Sequence, residues 1–157
     1  MSIRLTPAMA SILCLLASGC GSERDPNRPL VFPTSATVTH NGKLVDGARV
    51  FFSLQGGSRG ATAVTDAQGV ARLTTFDEGD GAVAGTHSVK IEKIVEETRL
   101  SDKLLPDSND FDIVVTRKVL LPARYATYKT SGLSAEVTET GPNAFQFELT
   151  GNVGSAK

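Results

Sequence analysis

The chain has 157 residues and a formal charge of −1, with no tryptophan. One domain of ordinary size fits this length, and the near-neutral balance excludes the basic stripe of a nucleic-acid binder. Both cysteines, Cys14 and Cys20, fall in or at the end of an apolar leader, so a disulfide framework and a thiolate metal site are excluded from the body.

The leader opens with Arg4 and runs apolar from Ala8 to Ala17. A membrane span needs roughly 20 apolar residues, and this run is about half that. A buried helix would need a polar face, which Ser11 alone does not give. A positive start, a short apolar middle and small residues at the end are the parts of an export signal. At its end, Ala17-Ser18-Gly19-Cys20 resembles the lipobox of bacterial lipoproteins, in which the cysteine becomes thioether-linked to diacylglycerol. Ala17 stands where the usual box has leucine, with Leu16 one place further back. An ordinary secretory cut after Ala17 or Gly19 is the competing reading. A lone cysteine favours lipidation, because export would otherwise leave an unpaired thiol. Gly21 stands where an aspartate usually signals inner-membrane retention, and this points towards the outer membrane.

Three prolines and mixed charges between Gly21 and Pro33 describe a tether without a core. From Ala36 the pattern becomes short strands. Asn41-Gly42 is a type I′ hairpin signal, joining Ala36–His40 to Lys43–Val45. In Ala48–Leu54, Val50, Phe52 and Leu54 share a face, as in a strand over a core. Asp66-Ala67-Gln68-Gly69 is a type I turn between Ala61–Thr65 and Val70–Thr75. His87–Lys93 alternates, with Val89 and Ile91 inward. Glu96 to Lys118 breaks the rhythm and contains one strand-like piece, Phe111 to Val115, so a loose connection is expected there. Order returns at Leu120–Tyr125, Gly132–Thr138 and Phe145–Leu149. About seven short strands, Gly-rich turns and no amphipathic helix predict an all-β, antiparallel two-sheet sandwich.

Two stretches carry a family resemblance: Asn41-Gly42-Lys43-Leu44-Val45-Asp46-Gly47-Ala48-Arg49-Val50-Phe51-Phe52 and Thr65-Asp66-Ala67-Gln68-Gly69-Val70-Ala71-Arg72-Leu73. They are similar to the turn-centred motifs of the carboxypeptidase regulatory-like domain, a transthyretin-like (prealbumin-like) β-sandwich. Gly79 to Val89 resembles a third such motif, with Ala84 where proline is common. Leu121–Tyr125 and Thr130–Leu133 look like a subgroup of small bacterial lipoproteins with this fold. The expected organisation is a signal peptide at 1–19, a lipidated cysteine and tether at 20–34, the sandwich at 35–150 and a disordered tail at 151–157. These motifs describe turns, so they bear on fold more than on function.

The fold implied by this resemblance also hosts an enzyme branch, the hydroxyisourate hydrolases, which use histidines and an arginine and end in Tyr-Arg-Gly-Ser. That ending is absent, and the two histidines, His40 and His87, read as half-exposed strand residues with no nucleophile–base pair. Asp66, Asp77, Glu78 and Asp80 have no EF-hand spacing; aspartate also initiates turns through its own backbone, and that role is expected for them. Lys43 and Asn143 are a candidate isopeptide pair. Tyr125 and Tyr128 could form a sugar platform, with core or rim packing as the default. No catalytic residue, metal site or cofactor is expected. The chain reads as a lipid-anchored envelope β-sandwich that binds or spaces an envelope polymer, a protein or a small ligand. A purely structural envelope component is the alternative, and a hydrolase of the hydroxyisourate type comes third.

Overall fold

The computed structural model describes residues 25, 27–57, 59–104 and 111–153. The expected signal peptide, Cys20 and the start of the tether lie outside them, as does the end of the tail. Twelve strand segments form among the described residues. One four-stranded sheet runs β11 (Leu133–Val137), β8 (Gly85–Glu92), β4 (Arg49–Leu54), β5 (Gly60–Val64). The other is centred on β2 (Thr34–His40), with β12 (Asn143–Leu149) on one side and β6 (Val70–Arg72) and β3 (Lys43–Leu44) on the other. The two sheets thus use the seven strands β2, β4, β5, β6, β8, β11 and β12, plus the short β3, and make the expected all-β sandwich. A two-residue ladder of β1 (Val31–Phe32) and β7 (Ala82–Val83) closes one side.

Period-2 alternation builds the core directly. Val50 and Phe52 from β4, Val89 and Ile91 from β8, and Ala135 and Val137 from β11 are buried from one sheet. Ala36 and Val38 from β2, with Phe147 and Leu149 from β12, are buried from the other. Phe52 is the central piece. Its ring lies 5.6 Å from His87, 5.8 Å from Phe145 and 6.1 Å from Phe147, in tilted and edge-on arrangements that suit aromatic quadrupoles. Among the described residues, every buried apolar one falls between Ala36 and Leu149.

The turns behave as their residues dictate. Asn41 and Gly42 both take positive φ, 49° and 76°, as a type I′ hairpin requires. Gly69 has φ 70°, and its N–H donates to the Asp66 carbonyl at 2.8 Å. A 3-10 turn, Ala123–Ala126, which contains the buried Tyr125, and the single-turn helix α1 (Tyr128–Ser131) lead into β11.

The structure adds two features to this plan. β12 pairs with β2 in parallel, Asn143 beside Thr34 through Leu149 beside His40, so one ladder departs from the antiparallel rule. Matching burial explains it: Phe147 lies beside Val38, and Ala36 beside Phe145. The segment from Glu96 to Lys118, expected to be loose, instead forms most of an antiparallel ribbon of β9 (Ile94–Leu104) and β10 (Phe111–Val119). Its pairing rests on cross-strand partners such as Arg117 and Glu96. Both its faces are exposed, so no apolar alternation betrayed it.

Candidate functional site at the base of a projecting arm

Most polar residues singled out from the sequence hold their own backbone. The Asp66 carboxylate accepts from the N–H groups of Gln68 at 2.9 Å and Val70 at 3.0 Å. Asp80 accepts from the N–H groups of Thr75, Phe76 and Asp77 at 2.7–3.0 Å. Burial pushes its carboxyl up, but those three donors and the nearby Arg28 outweigh burial and leave it below its ordinary value of 3.8. Asp77 pairs with Arg28 at 3.3 Å, and Glu78 is exposed. No group of three His, Cys, Asp or Glu side chains able to hold a metal ion occurs among the described residues.

The remaining candidates are also separated or occupied. His40 Nε2 lies 2.8 Å from the Gly151 carbonyl on one sheet. His87 belongs to the other sheet and is 1% exposed, not half-exposed as its sequence position implied. It is buried because it continues the inward set of Val89 and Ile91 and packs on Phe52. Its Nε2 bonds the Val83 carbonyl at 2.8 Å, and Nδ1 has no partner among the described residues. Lys43 and Asn143 register with opposite ends of β2, His40 and Thr34. About six residues of strand between those ends span roughly 20 Å, too far for a bond between them. Asn143 instead clamps the turn before β12: its Oδ1 accepts from Thr138 N at 2.9 Å, and its Nδ2 donates to Thr138 O at 3.0 Å.

Tyr125 is buried and Tyr128 exposed, so the two do not make a common platform. The Tyr125 hydroxyl accepts from Arg124 and from Thr150 N at 3.0 Å. Burial pushes this phenol up, while Thr150 and Arg124 more than offset it and bring it below 10.0. Burial, then the charge of Glu92, raises Tyr128 above that value.

A different surface is left over once these roles are assigned. On the outer face of the sheet, Lys90 Nζ sits 4.2 Å above the Phe51 ring, 5.7 Å from the Tyr128 ring and 3.8 Å from Glu92. Arg49 registers with Glu92 across β4 and β8. Where β8 gives way to β9, Gly47, Arg49, Glu92, Ile94, Glu96 and Arg117 line an open cleft of about 430 Å³. Arg117 donates to Glu96 at 2.8 Å, both largely in solvent. The Arg49 guanidinium makes no hydrogen bond or ion pair within the described residues, although its backbone stands in the ladders with Val64 and Glu92. The cleft therefore offers one uncommitted guanidinium, a second guanidinium held only by an exposed pair of the kind worth about 0–1 kcal/mol, two carboxylates and the exposed side chain of Ile94.

Gly47 and Arg49 fall within the Asn41–Phe52 stretch that carries the family resemblance, but no motif marked any of the cleft residues as a site. Their only signal was charge at outward positions of apolar strands, as in Arg49 beside Val50 and Glu92 beside Ile91. Arg117 and Glu96 are 21 positions apart in sequence and meet only because β9 and β10 pair as a ribbon. No family model matches the chain, and neither a curated protein nor a solved structure matches it significantly.

Proposed function

We propose that the chain is a lipid-anchored envelope protein whose β-sandwich binds a partner without catalysis, and that the cleft beside Arg49 and Arg117 is its contact. Cys20 carries the lipid in this reading, and the outer membrane facing the periplasm is the location that Gly21 favours. The sandwich is read as a carboxypeptidase regulatory-like domain. One observation carries the binding role: Asp66, Asp80 and Asn143 are consumed in holding the body's own loops, whereas the cleft displays the Arg49 guanidinium beside the exposed Ile94. Mixed charge around the single apolar side chain of Ile94 suits a polymer or protein that presents both signs. Catalysis is disfavoured because His87 is sealed against Phe52 and His40 lies on the opposite sheet.

The test uses residues 21–157, immobilised and incubated with isolated envelope material. Wild-type protein should retain material that a double variant, Arg49→Gln with Arg117→Gln, releases, while both keep the same folded circular dichroism spectrum. Equal retention by the two would remove the cleft from the reading, and no retention by either would favour a purely structural role. Hydroxyisourate turnover that vanishes when His40 and His87 become glutamine would establish an enzyme instead. Cys20→Ala in the full chain should move the protein from the membrane to the soluble fraction, because a diacylated thioether is a stable anchor and its loss leaves none.

A further inference from the structure

We propose that residues 25 and 27–32 form a strap fixed to the body, which turns the end of the sandwich around Phe76 towards the membrane and leaves the cleft and the β9–β10 arm at the far end. The inference rests on the reading of Cys20 as the lipid anchor and adds which surface faces the headgroups.

The strap is held at two points. At its start Asp25 builds a turn: its Oδ1 accepts from Asn27 N at 2.9 Å, and its carbonyl from Arg28 N at 3.0 Å. The turn delivers the Arg28 guanidinium to a position 4.1 Å from the centre of the Phe76 ring and 3.3 Å from the Asp77 carboxylate. The platform under it is itself fixed, because Asp80 accepts from the N–H groups of both Phe76 and Asp77. At the other end of the strap, Val31 and Phe32 pair with Val83 and Ala82. An exposed ion pair or cation–π contact alone holds weakly; joined to a strand ladder four residues on, the two fix one path for the chain across the body.

Topology puts the strap and the arm at opposite ends of the sandwich. β1 and β7 immediately precede β2 and β8, so the strap lies where both strands begin. The other ends of those strands also coincide. β3 lies against the end of β2, and Asp46, shortly after β3, accepts through its carbonyl from Lys93 Nζ, just past β8, at 2.6 Å. The cleft and β9 begin there. Between the two ends run the eight residues of β8, roughly 23 Å of strand.

Chain length then restricts the anchor. Five positions separate Cys20 from Asp25, a reach of at most about 18 Å at full extension. That is shorter than β8, so the anchor stays on the strap's side of the sandwich. The surface there suits headgroups. Arg28, Arg59 and Arg72 stand against Asp25, Asp77 and Glu78, a near-neutral balance that does not repel an anionic layer. Leu30, two positions after Arg28, is 56% exposed, and an apolar side chain among arginines fits the boundary between headgroups and acyl chains.

The test reads the orientation directly. Residues 21–157 contain no cysteine, so a single introduced thiol takes a fluorophore while Cys20 carries its lipid. Lipidated protein is inserted into vesicles of phosphatidylethanolamine and phosphatidylglycerol that bear an acceptor dye on their headgroups. Energy transfer from Glu78→Cys should exceed that from Thr98→Cys, on the arm, several-fold. Arg28→Ala unlatches the strap and should narrow that difference. In the same lipidated protein it should speed amide exchange at Val31 and Phe32 about tenfold, the combined worth of the lost ion pair and cation–π contact. Intact mass separates the two readings. A chain without lipid on Cys20 overturns the anchor and the orientation together, whereas a lipidated chain with equal or inverted transfer overturns the strap proposal alone. Exchange at Val31 and Phe32 that is unprotected in the wild type, or unmoved by Arg28→Ala, would overturn it as well.

Discussion

Gly81→Ala should be among the most damaging single-methyl changes in this chain. Gly81 has φ 104°, a region that favours glycine, and a Cβ added there would lie 1.8 Å from the Phe32 carbonyl oxygen. Real Cβ contacts essentially never fall below 3.0 Å, so the backbone would have to part by more than 1 Å. Neither side can yield cheaply. Gly81 N–H donates to Leu73 O at 2.9 Å, and its carbonyl accepts from Thr75 Oγ1 at 2.7 Å, while Phe32 is paired with Ala82. Left-handed backbone costs a residue with a Cβ about 1–2 kcal/mol, and overpacking adds about 1–3. The expected loss is about 2–5 kcal/mol, and a domain of this size loses roughly 3–5 °C per kcal/mol. Gly79→Ala is the matched control: φ is 71°, but nothing lies within 4 Å of the added atom. It should lose only the backbone term, about 1–2 kcal/mol. Thermal unfolding of residues 21–157 in both forms measures the difference, and hydrogen exchange should locate the damage in the β1–β7 ladder. Equal midpoints for the two variants would refute the steric argument.

Phe52→Ala removes the ring at the centre of the aromatic cluster and should cost about 3–5 kcal/mol, read as a lower denaturant midpoint; a loss under about 1 kcal/mol would mean that the core has been misjudged. Asn143→Ala leaves Thr138 N and O without their clamp and should cost about 1–3 kcal/mol, measured the same way and compared with the exposed Ala144→Ser, expected to be near neutral. Asp80 has a folded-state pKa below its unfolded 3.8, so its contribution is fully present above 3.8 and is lost as pH falls through the folded value. Stability curves for wild type and Asp80→Asn should therefore stand apart at pH 6 and converge in strong acid; a gap independent of pH would contradict the assignment.

The sandwich was legible because its strands obey one rule repeatedly. Val50 and Phe52, Val89 and Ile91, and Phe147 and Leu149 each announce a buried face by alternation, and Asn41-Gly42 announces its hairpin by chemistry. The arm was not legible for the converse reason. With solvent on both sides, Glu96, Glu97 and Thr98 carry no burial pattern, and strand pairing between Arg117 and Glu96 is a long-range fact. His87 was misjudged because a polar residue at an inward position looks like a break in the pattern. The cleft combines both problems: its charges come from β4, β8, β9 and β10, and local motifs cannot report that they meet.

If the domain is tethered through its N-terminal side, as proposed, the parallel ladder between β2 and β12 has a mechanical consequence. A pull transmitted through the residues before Thr34 loads the two-residue β1–β7 ladder and then enters the central strand of its sheet along the strand axis. Ladder hydrogen bonds run across the strands, so such a load shears them instead of peeling them one by one. Seven registered positions with β12, from Thr34 beside Asn143 to His40 beside Leu149, share the load on one side, and β6 and β3 share it on the other. A pull through the arm enters differently, through β8 of the opposite sheet, which is held between β4 and β11. Tension between an anchor at one end and a partner at the other therefore crosses the packed interface around Phe52, where the two sheets would have to slide past one another before either strand could leave.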